Sequence, residues 1–283
     1  SGVDFLEATI KGGGTTGLSY NSSTDAFTLT GDGLSITGSF ASFEDIKLTF
    51  DSGASDITMS GNSWRPLFLD GGDGVDKITT PQTGVSGGWI FVSQQDEVLK
   101  VNAHNGRLAD FTIANFEVFA ISAVSSESNL SMSSNIVTQF QEIMGDTTST
   151  LDTLYITQAA DVVFIWDEGS DWYFSTLGST TVTKITNFEW LNIQASVIYT
   201  ENKELFSTQF SGQTLYGIDT IQFYSNTNDI RAIDNLSQET FLALNLDTDQ
   251  DGIADSIDAF PVDATEALDT DSDGVGNNTD TDD

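Results

Sequence analysis

Thr112-Ile113-Ala114-Asn115-Phe116-Glu117-Val118-Phe119 occurs three times in recognisable form, and the fold follows from that recurrence. The first copy is Ser39-Phe40-Ala41-Ser42-Phe43-Glu44-Asp45-Ile46. The third is Lys184-Ile185-Thr186-Asn187-Phe188-Glu189-Trp190-Leu191. The Phe-Glu pairs thus fall at Phe43-Glu44, Phe116-Glu117 and Phe188-Glu189, almost evenly spaced. A fixed interval of this kind marks a chain built from stacked copies of one unit. A second landmark keeps the same register: Gly2-Val3-Asp4-Phe5-Leu6, Gly74-Val75-Asp76-Lys77-Ile78, Thr150-Leu151-Asp152-Thr153-Leu154 and Gly217-Ile218-Asp219-Thr220-Ile221. Its aspartates, Asp4, Asp76, Asp152 and Asp219, recur at nearly the same interval, the last step being the shortest. The spacing predicts three units of roughly 72 residues each and the start of a fourth ending near Arg231.

Within a unit, short runs of β-formers alternate with Gly, Asn, Ser and Asp turns, as in Phe27–Thr30, Ile46–Phe50 and Asp56–Met59. Trp89–Val92 falls where Val162–Ile165 does in the next copy. About six strands per unit predict an all-β, right-handed parallel β-helix, in which each coil adds a strand to every face. The alternative is a row of tandem β-sandwich modules, for which a unit of this length is short.

Two segments carry helical spacing. Ser134–Gly145 has apolar residues at helical intervals and ends on Gly, which predicts a lateral helix. Ser237–Leu244 has a capping Ser, with Leu236 and Phe241 placed as a hydrophobic staple. It is expected to cap the last coil, closing a body of residues 1–245.

The chain of 283 residues carries 43 acids against 9 Lys and Arg, a formal charge of −34. Phosphate backbones need clusters of Lys and Arg, so nucleic acid and anionic lipid are poor partners. Cysteine is absent, which excludes disulfides and thiolate metal sites. The only histidine, His104, stands in Asn102-Ala103-His104-Asn105-Gly106, a turn-forming run, and is not expected to be catalytic. No run of eighteen apolar residues exists to span a membrane.

The tail, residues 246–283, carries a different chemistry. Asp247, Asp249, Asp251, Asp255 and Asp258 occupy positions 1, 3, 5, 9 and 12 of a loop with Gly252 at 6. Asp269, Asp271, Asp273, Asn277 and Asp280 repeat the pattern in a second loop, with Gly274 at 6. Calcium takes roughly six to eight hard oxygen ligands on a sharply turned loop, and this spacing supplies them, with the carbonyls of Ile253 and Val275 at position 7. A merely solvated acidic tail would not place glycine and the terminal acid twice in register. EF-hands are not expected, because no amphipathic helix brackets either loop and Pro261 lies between them.

The stretch DTDQDGIADSIDAFPVDATEALDTDSDGVGNNTDTDD resembles the thrombospondin type 3 repeats found in secreted proteins of marine Gram-negative bacteria. The resemblance implies a secreted or cell-surface, Ca²⁺-bound stalk without helices, with the ten side-chain positions above as its ligands. Asn277 departs from the usual Asp, which is expected to weaken the second loop. Asp280, Asp282 and Asp283 look like the opening of a third loop, so that further domains or an anchor are expected to follow.

Gly71-Gly72-Asp73-Gly74-Val75-Asp76-Lys77-Ile78-Thr79 fits the RTX nonapeptide, and Gly169-Ser170-Asp171 and Gly217-Ile218-Asp219 echo it. Two readings stand: a calcium turn, or a glycine turn between coils. The body thus resembles degenerate RTX and S-layer repeats of bacterial surface proteins. Acids cluster at Asp70/Asp73, beside Arg65 and Lys77, and at Asp167/Glu168/Asp171, but a chain this acidic produces such groups by chance, and no catalytic residue is assigned. Trp64, Trp89, Trp166, Trp172 and Trp190 would stack on sugars if exposed and pack the core if not. The expectation is a calcium-binding surface or adhesin-type module with a glycan or protein ligand. The alternative is a β-helix that binds or degrades polysaccharide.

Overall fold

A computed structural model describes residues 5–10, 14–21, 24, 26–31, 34–39, 45–50, 53–61, 67–80, 88–104, 111–122, 128–147, 152–157, 162–168, 171–188, 190–193, 195, 197–200, 220–223, 229–232, 236–244, 248–249, 251, 253, 255, 258–270 and 274–280. Among them the protein is all-β, with two short helices. A first set of strands comprises β1 (Phe5–Ile10), β2 (Gly14–Asn21), β3 (Ala26–Gly31), β4 (Leu34–Ser39), β5 (Asp45–Phe50), β6 (Ser55–Gly61) and β7 (Leu67–Asp70). The second is β8 (Lys77–Thr80), β9 (Gly88–Gln95), β10 (Val98–His104), β11 (Phe111–Ala114), β12 (Val118–Ile121), β13 (Ser128–Ser133) and β14 (Glu142–Met144). The third is β15 (Thr153–Thr157), β16 (Val162–Glu168), β17 (Asp171–Thr176), β18 (Thr183–Thr186), β19 (Trp190–Ile193), β20 (Val197–Thr200) and β21 (Thr220–Phe223), and β22 (Asp229–Ala232) opens a fourth.

These strands form two large mixed sheets. One has ten strands in the order β1-β5-β7-β11-β10-β9-β13-β15-β19-β21. The other has twelve, β22-β20-β16-β17-β18-β14-β12-β8-β6-β2-β3-β4. Single strands pass between the sheets and pair in parallel, as in β1–β5–β7 and β6–β8–β12–β14. Each set also holds one antiparallel meander: β2-β3-β4, β9-β10-β11 or β16-β17-β18. A meander stays in one sheet and so counts as a single step. Each set therefore makes an odd number of steps, and the next set starts on the opposite sheet: β1 and β15 in one, β8 and β22 in the other. Among the described residues the unit thus holds seven strands rather than six, and all-parallel pairing is replaced by mixed sheets. Both sheets run without interruption through all three sets, unlike tandem sandwich modules, whose sheets end with each module.

Strand alternation points one face of each sheet inward, and a single apolar core draws on both, from Ile46, Leu48 and Ile57 to Leu191 and Ile198. The Phe-Glu motif lies where a strand begins. Phe116 and Phe188 are buried in this core, and β12 and β19 start directly after their motifs; Phe43 lies outside the described residues. The asparagine before each Phe takes a left-handed turn, with φ 56° at Asn115 and 57° at Asn187. Its carbonyl sits so close to Gly71 or Gly145 that a Cβ there would collide with backbone. Gly71 N–H donates to Ala114 O at 2.9 Å, and Gly145 N–H to Thr186 O at 2.8 Å.

The second landmark is a buried latch. Asp76 and Asp152 are fully buried. Asp76 Oδ1 accepts Ser55 N–H at 2.6 Å, and Asp152 Oδ1 accepts Ser128 N–H at 3.1 Å. Their carbonyls accept Val118 N–H and Trp190 N–H at 3.0 and 3.1 Å. Each latch therefore ties three strand starts together. The fourth landmark copy is out of register: Asp219, outside the described residues, precedes β21, whereas the fourth set begins at β22.

The first helix differs from expectation, and the second forms where its capping Ser and staple placed it. The helical run 134–145 yields only one turn, α1 (Ser134–Val137), and then strand β14. Pairing of β14 between β12 and β18 overrides the helical spacing, and Thr183 Oγ1 bonds the carbonyls of Val137 and Phe140. Gly145 serves the close approach to Asn187 rather than a helix end. The second helix, α2 (Gln238–Leu244), has Ser237 Oγ accepting Thr240 N–H at 3.3 Å. Phe241 packs on Phe164 and Trp166 of β16, with Leu236 in the same cluster. The helix thus covers the outer face of the twelve-stranded sheet near its last strands. His104 ends strand β10 instead of sitting in a turn, and Asn105 and Gly106 lie outside the described residues.

Candidate metal centre

The first acidic loop brings three carboxylates together. Oxygens of Asp249, Asp251 and Asp258 all lie within 4.8 Å of one another. Two ligands on opposite sides of a calcium ion are separated by about twice the ~2.4 Å Ca–O distance, so the spacing fits. The loop is shaped by its own side chains. Asp249 Oδ1 accepts Asp251 N–H at 3.3 Å, and Asp251 Oδ1 accepts Ile253 N–H at 2.7 Å, which winds the chain tightly. Asp258 is largely buried. Its Oδ1 accepts Phe260 N–H at 2.7 Å, while its Oδ2 is buried and accepts no hydrogen bond. A buried carboxylate oxygen without a donor is costly unless a cation faces it. The donor set, all hard oxygen, fits calcium.

Position 9 is hydrogen-bonded within each loop. Asp255 accepts Thr248 N–H at 2.7 Å and Thr248 Oγ1–H at 2.5 Å, and stands apart from the three converging acids. Asn277 does the same in the second loop: its Oδ1 accepts Thr270 N–H at 3.0 Å and its Nδ2 donates to Thr270 Oγ1 at 2.7 Å. The amide thus makes the same clasp as the carboxylate, and the departure from Asp at 277 closes the loop as Asp255 does.

In that second loop Asp269 Oδ2 accepts Gly274 N–H at 3.0 Å, Val275 is exposed and Asp280 is half-buried. Asp247, Asp271 and Asp273 lie outside the described residues. One carboxylate escaped the spacing argument because it stands between the loops. Glu266 is buried, its Oε2 accepts Asn278 N–H at 3.0 Å, and its Oε1 accepts no hydrogen bond. Its carboxylate fills the space a side chain at Gly276 would need. The segment between the loops is closed on itself by Ala259 N–H to Ala267 O and tied to the second loop by Asn277 N–H to Leu268 O.

The body's acids are engaged structurally. Asp70 Oδ1 accepts Gly72 N–H and Asn115 Nδ2–H, and Asp76, the aspartate of the RTX-like nonapeptide, serves the strand latch. Glu117 Oε2 accepts Asp76 N–H at 2.7 Å. Burial pushes the Asp76 carboxyl above the ordinary carboxylate range, the Ser55 bonds oppose this, and the nearby charges of Glu117 and Asp70 reinforce it. Asp171 stands in strand β17 and pairs with Lys184 at 2.8 Å, and Glu168 accepts the Trp166 indole N–H at 3.1 Å. Asp73 is exposed and Asp167 half-buried. Trp166 and Trp172 are core residues, Trp89 and Trp190 are half-exposed, and Trp64 and Arg65 lie outside the described residues. No helix among the described residues is long and apolar enough to cross a membrane. Comparison with known proteins returns no matching family model, no matching curated protein and no matching solved structure.

Proposed function

We propose that this chain is a secreted or cell-surface module of a Gram-negative bacterium, in which a right-handed β-solenoid body, residues 1–245, is joined to a calcium-binding stalk, residues 246–283. The solenoid reading is supported by single strands that step between two continuous sheets and pair in parallel with their counterparts. The calcium reading is carried by one observation: Asp249, Asp251 and Asp258 converge, with a buried Asp258 oxygen that no donor reaches. Asp249, Asp251 and Asp258 would hold the ion, with Ile253 O as the backbone ligand of the loop pattern. Bound calcium supplies positive charge that a chain with 9 cations and 43 acids does not provide from side chains. The residues themselves do the shaping: Asx turns wind the loop, and the Thr248–Asp255 clasp closes it.

The role that follows is organisational. A stalk whose carboxylates are neutralised holds the body at a distance from whatever carries it, and external millimolar calcium would fill even sites of about 10⁻⁴–10⁻³ M. Titration calorimetry of Ca²⁺ into chelator-stripped protein tests this. Saturable heat is expected, with Asp258→Asn weakening the tightest site roughly tenfold or more. An unchanged isotherm for Asp258→Asn would overturn the assignment.

A further inference from the structure

On the ten-stranded sheet the outward positions of β9, β13, β15 and β19 carry aromatic, hydroxyl and amide groups, and no Asp or Glu stands among them. That is notable in a chain with 43 acids. Three aromatic rings meet there. Trp89 stacks on Phe91 with centroids 5.5 Å apart and planes 10° apart, and packs on Tyr155 at 4.6 Å. Phe91 is 37% exposed.

Beside Phe91 lies a cleft of about 420 Å³, within the ~300–1,000 Å³ range of small-molecule sites. Phe91 forms one wall, Ser93, Ser131, Ser133 and Thr157 line it from three adjacent strands, and Asn135 of α1 bounds the other side. The amides are held in place: Ser133 Oγ–H donates to Asn135 Oδ1 at 2.5 Å, and Gln139 Nε2 donates to Gln94 Oε1 at 3.1 Å and to Asn135 O at 3.0 Å. Among the described residues the lining contains neither a carboxylate nor a cation.

We propose that this cleft binds one ring of a neutral polysaccharide, stacked on Phe91 and hydrogen-bonded by the surrounding hydroxyls and amides. A pyranose presents an apolar C–H face to an aromatic wall and hydroxyls at its edge, and the cleft offers both surfaces together. An anionic glycan finds one described cation beside the cleft, Lys100 across from Ser93, and meets the field of a −34 chain. A lipid or an apolar peptide would leave the hydroxyl rim unpaired, at a cost for each buried group. The inference is independent of the calcium site, which lies in another part of the sequence.

Affinity electrophoresis of the whole chain through gels carrying laminarin, dextran, mannan, xylan or agarose, with alginate as the anionic comparison, tests it. Retardation by at least one neutral polymer is expected, and none by alginate. Phe91→Ala is expected to weaken that interaction roughly tenfold. Phe68→Ala, on the same sheet face under Lys47, is expected to leave it intact. Ser93→Trp fills the cleft from an exposed position, and is expected to abolish binding even if Phe91→Ala disturbs the fold. Retardation by alginate alone, by no neutral polymer, or equally for both cleft variants would overturn the proposal. So would a dimer in sedimentation velocity that Phe91→Ala dissolves without any glycan retention, since a second copy would then be the occupant.

Discussion

Asp255 and Asn277 occupy the same position in their loops and each clasp the threonine at position 2, Thr248 and Thr270, the hydroxyl donating to the carboxylate in one and accepting from the amide in the other. Asp255→Asn is therefore expected to leave calcium affinity nearly unchanged by calorimetry, in contrast to Asp258→Asn. A large loss with Asp255→Asn would return position 9 to the ligand set. In the body, Asp76 carries a buried charge whose carboxyl is raised chiefly by desolvation. The native state thus keeps the Asp76 proton to a higher pH than the unfolded chain, where the group has its ordinary value of 3.8. Stability from this group falls as pH rises from 3.8 through the raised native value, and the full penalty applies above it. Asp76→Asn keeps an oxygen for Ser55 N–H and removes the charge. Its melting temperature relative to wild type is expected to rise from acid to neutral pH. Asp76→Ala, which lacks the acceptor, is expected to cost about 1–3 kcal/mol. Melts across that range check both.

At the scale of elements, the strand starts are held by close backbone approach as much as by side chains. Gly145→Ala pushes a methyl into Asn187 backbone, and a loss of about 1–3 kcal/mol is expected by chemical denaturation. Gly178→Ala meets nothing within 4 Å and carries only the left-handed strain of φ 82°, about 1 kcal/mol. Helix α2 rests on Phe241, fully buried against Phe164 and Trp166. Phe241→Ala is expected to cost about 3–5 kcal/mol locally, exposing 236–244 to exchange while the main core stays protected. Much of this was legible in advance. Phe116 and Phe188 recur because each fills the same core slot, and Asp76 and Asp152 because each latches the same strand starts. Strand direction was not legible, because alternation is the same in parallel and antiparallel pairs. The β9–β10 hairpin turns on Asp96, with φ 56°, a residue with no signature beyond its type. The helical spacing of 134–145 failed where strand pairing competed for Glu142–Met144.

For the whole molecule, charge sets the terms. Among the described residues, Lys47, Lys77 and Lys184 are drawn into surface pairs with Glu7, Asp56 and Asp171, each worth about 0–1 kcal/mol. These cannot offset a charge of −34. The body relies instead on an apolar core shared by both sheets. Among the described tail residues few side chains are buried, and Asp258 and Glu266 each keep a buried oxygen that no donor reaches. The spacing of the acids was readable because loop chemistry is local. Glu266 was not, because its role depends on Asn278 and Gly276 folding back onto it. Hydrogen exchange along residues 247–280, measured in millimolar calcium and again in chelator, addresses the dependence on cations most directly. Slow exchange of the bonded amides of Ile253, Phe260, Asn277 and Asn278 is expected with calcium and its loss without, the sheets remaining protected in both. Equal exchange of those four amides in the two conditions would contradict the account.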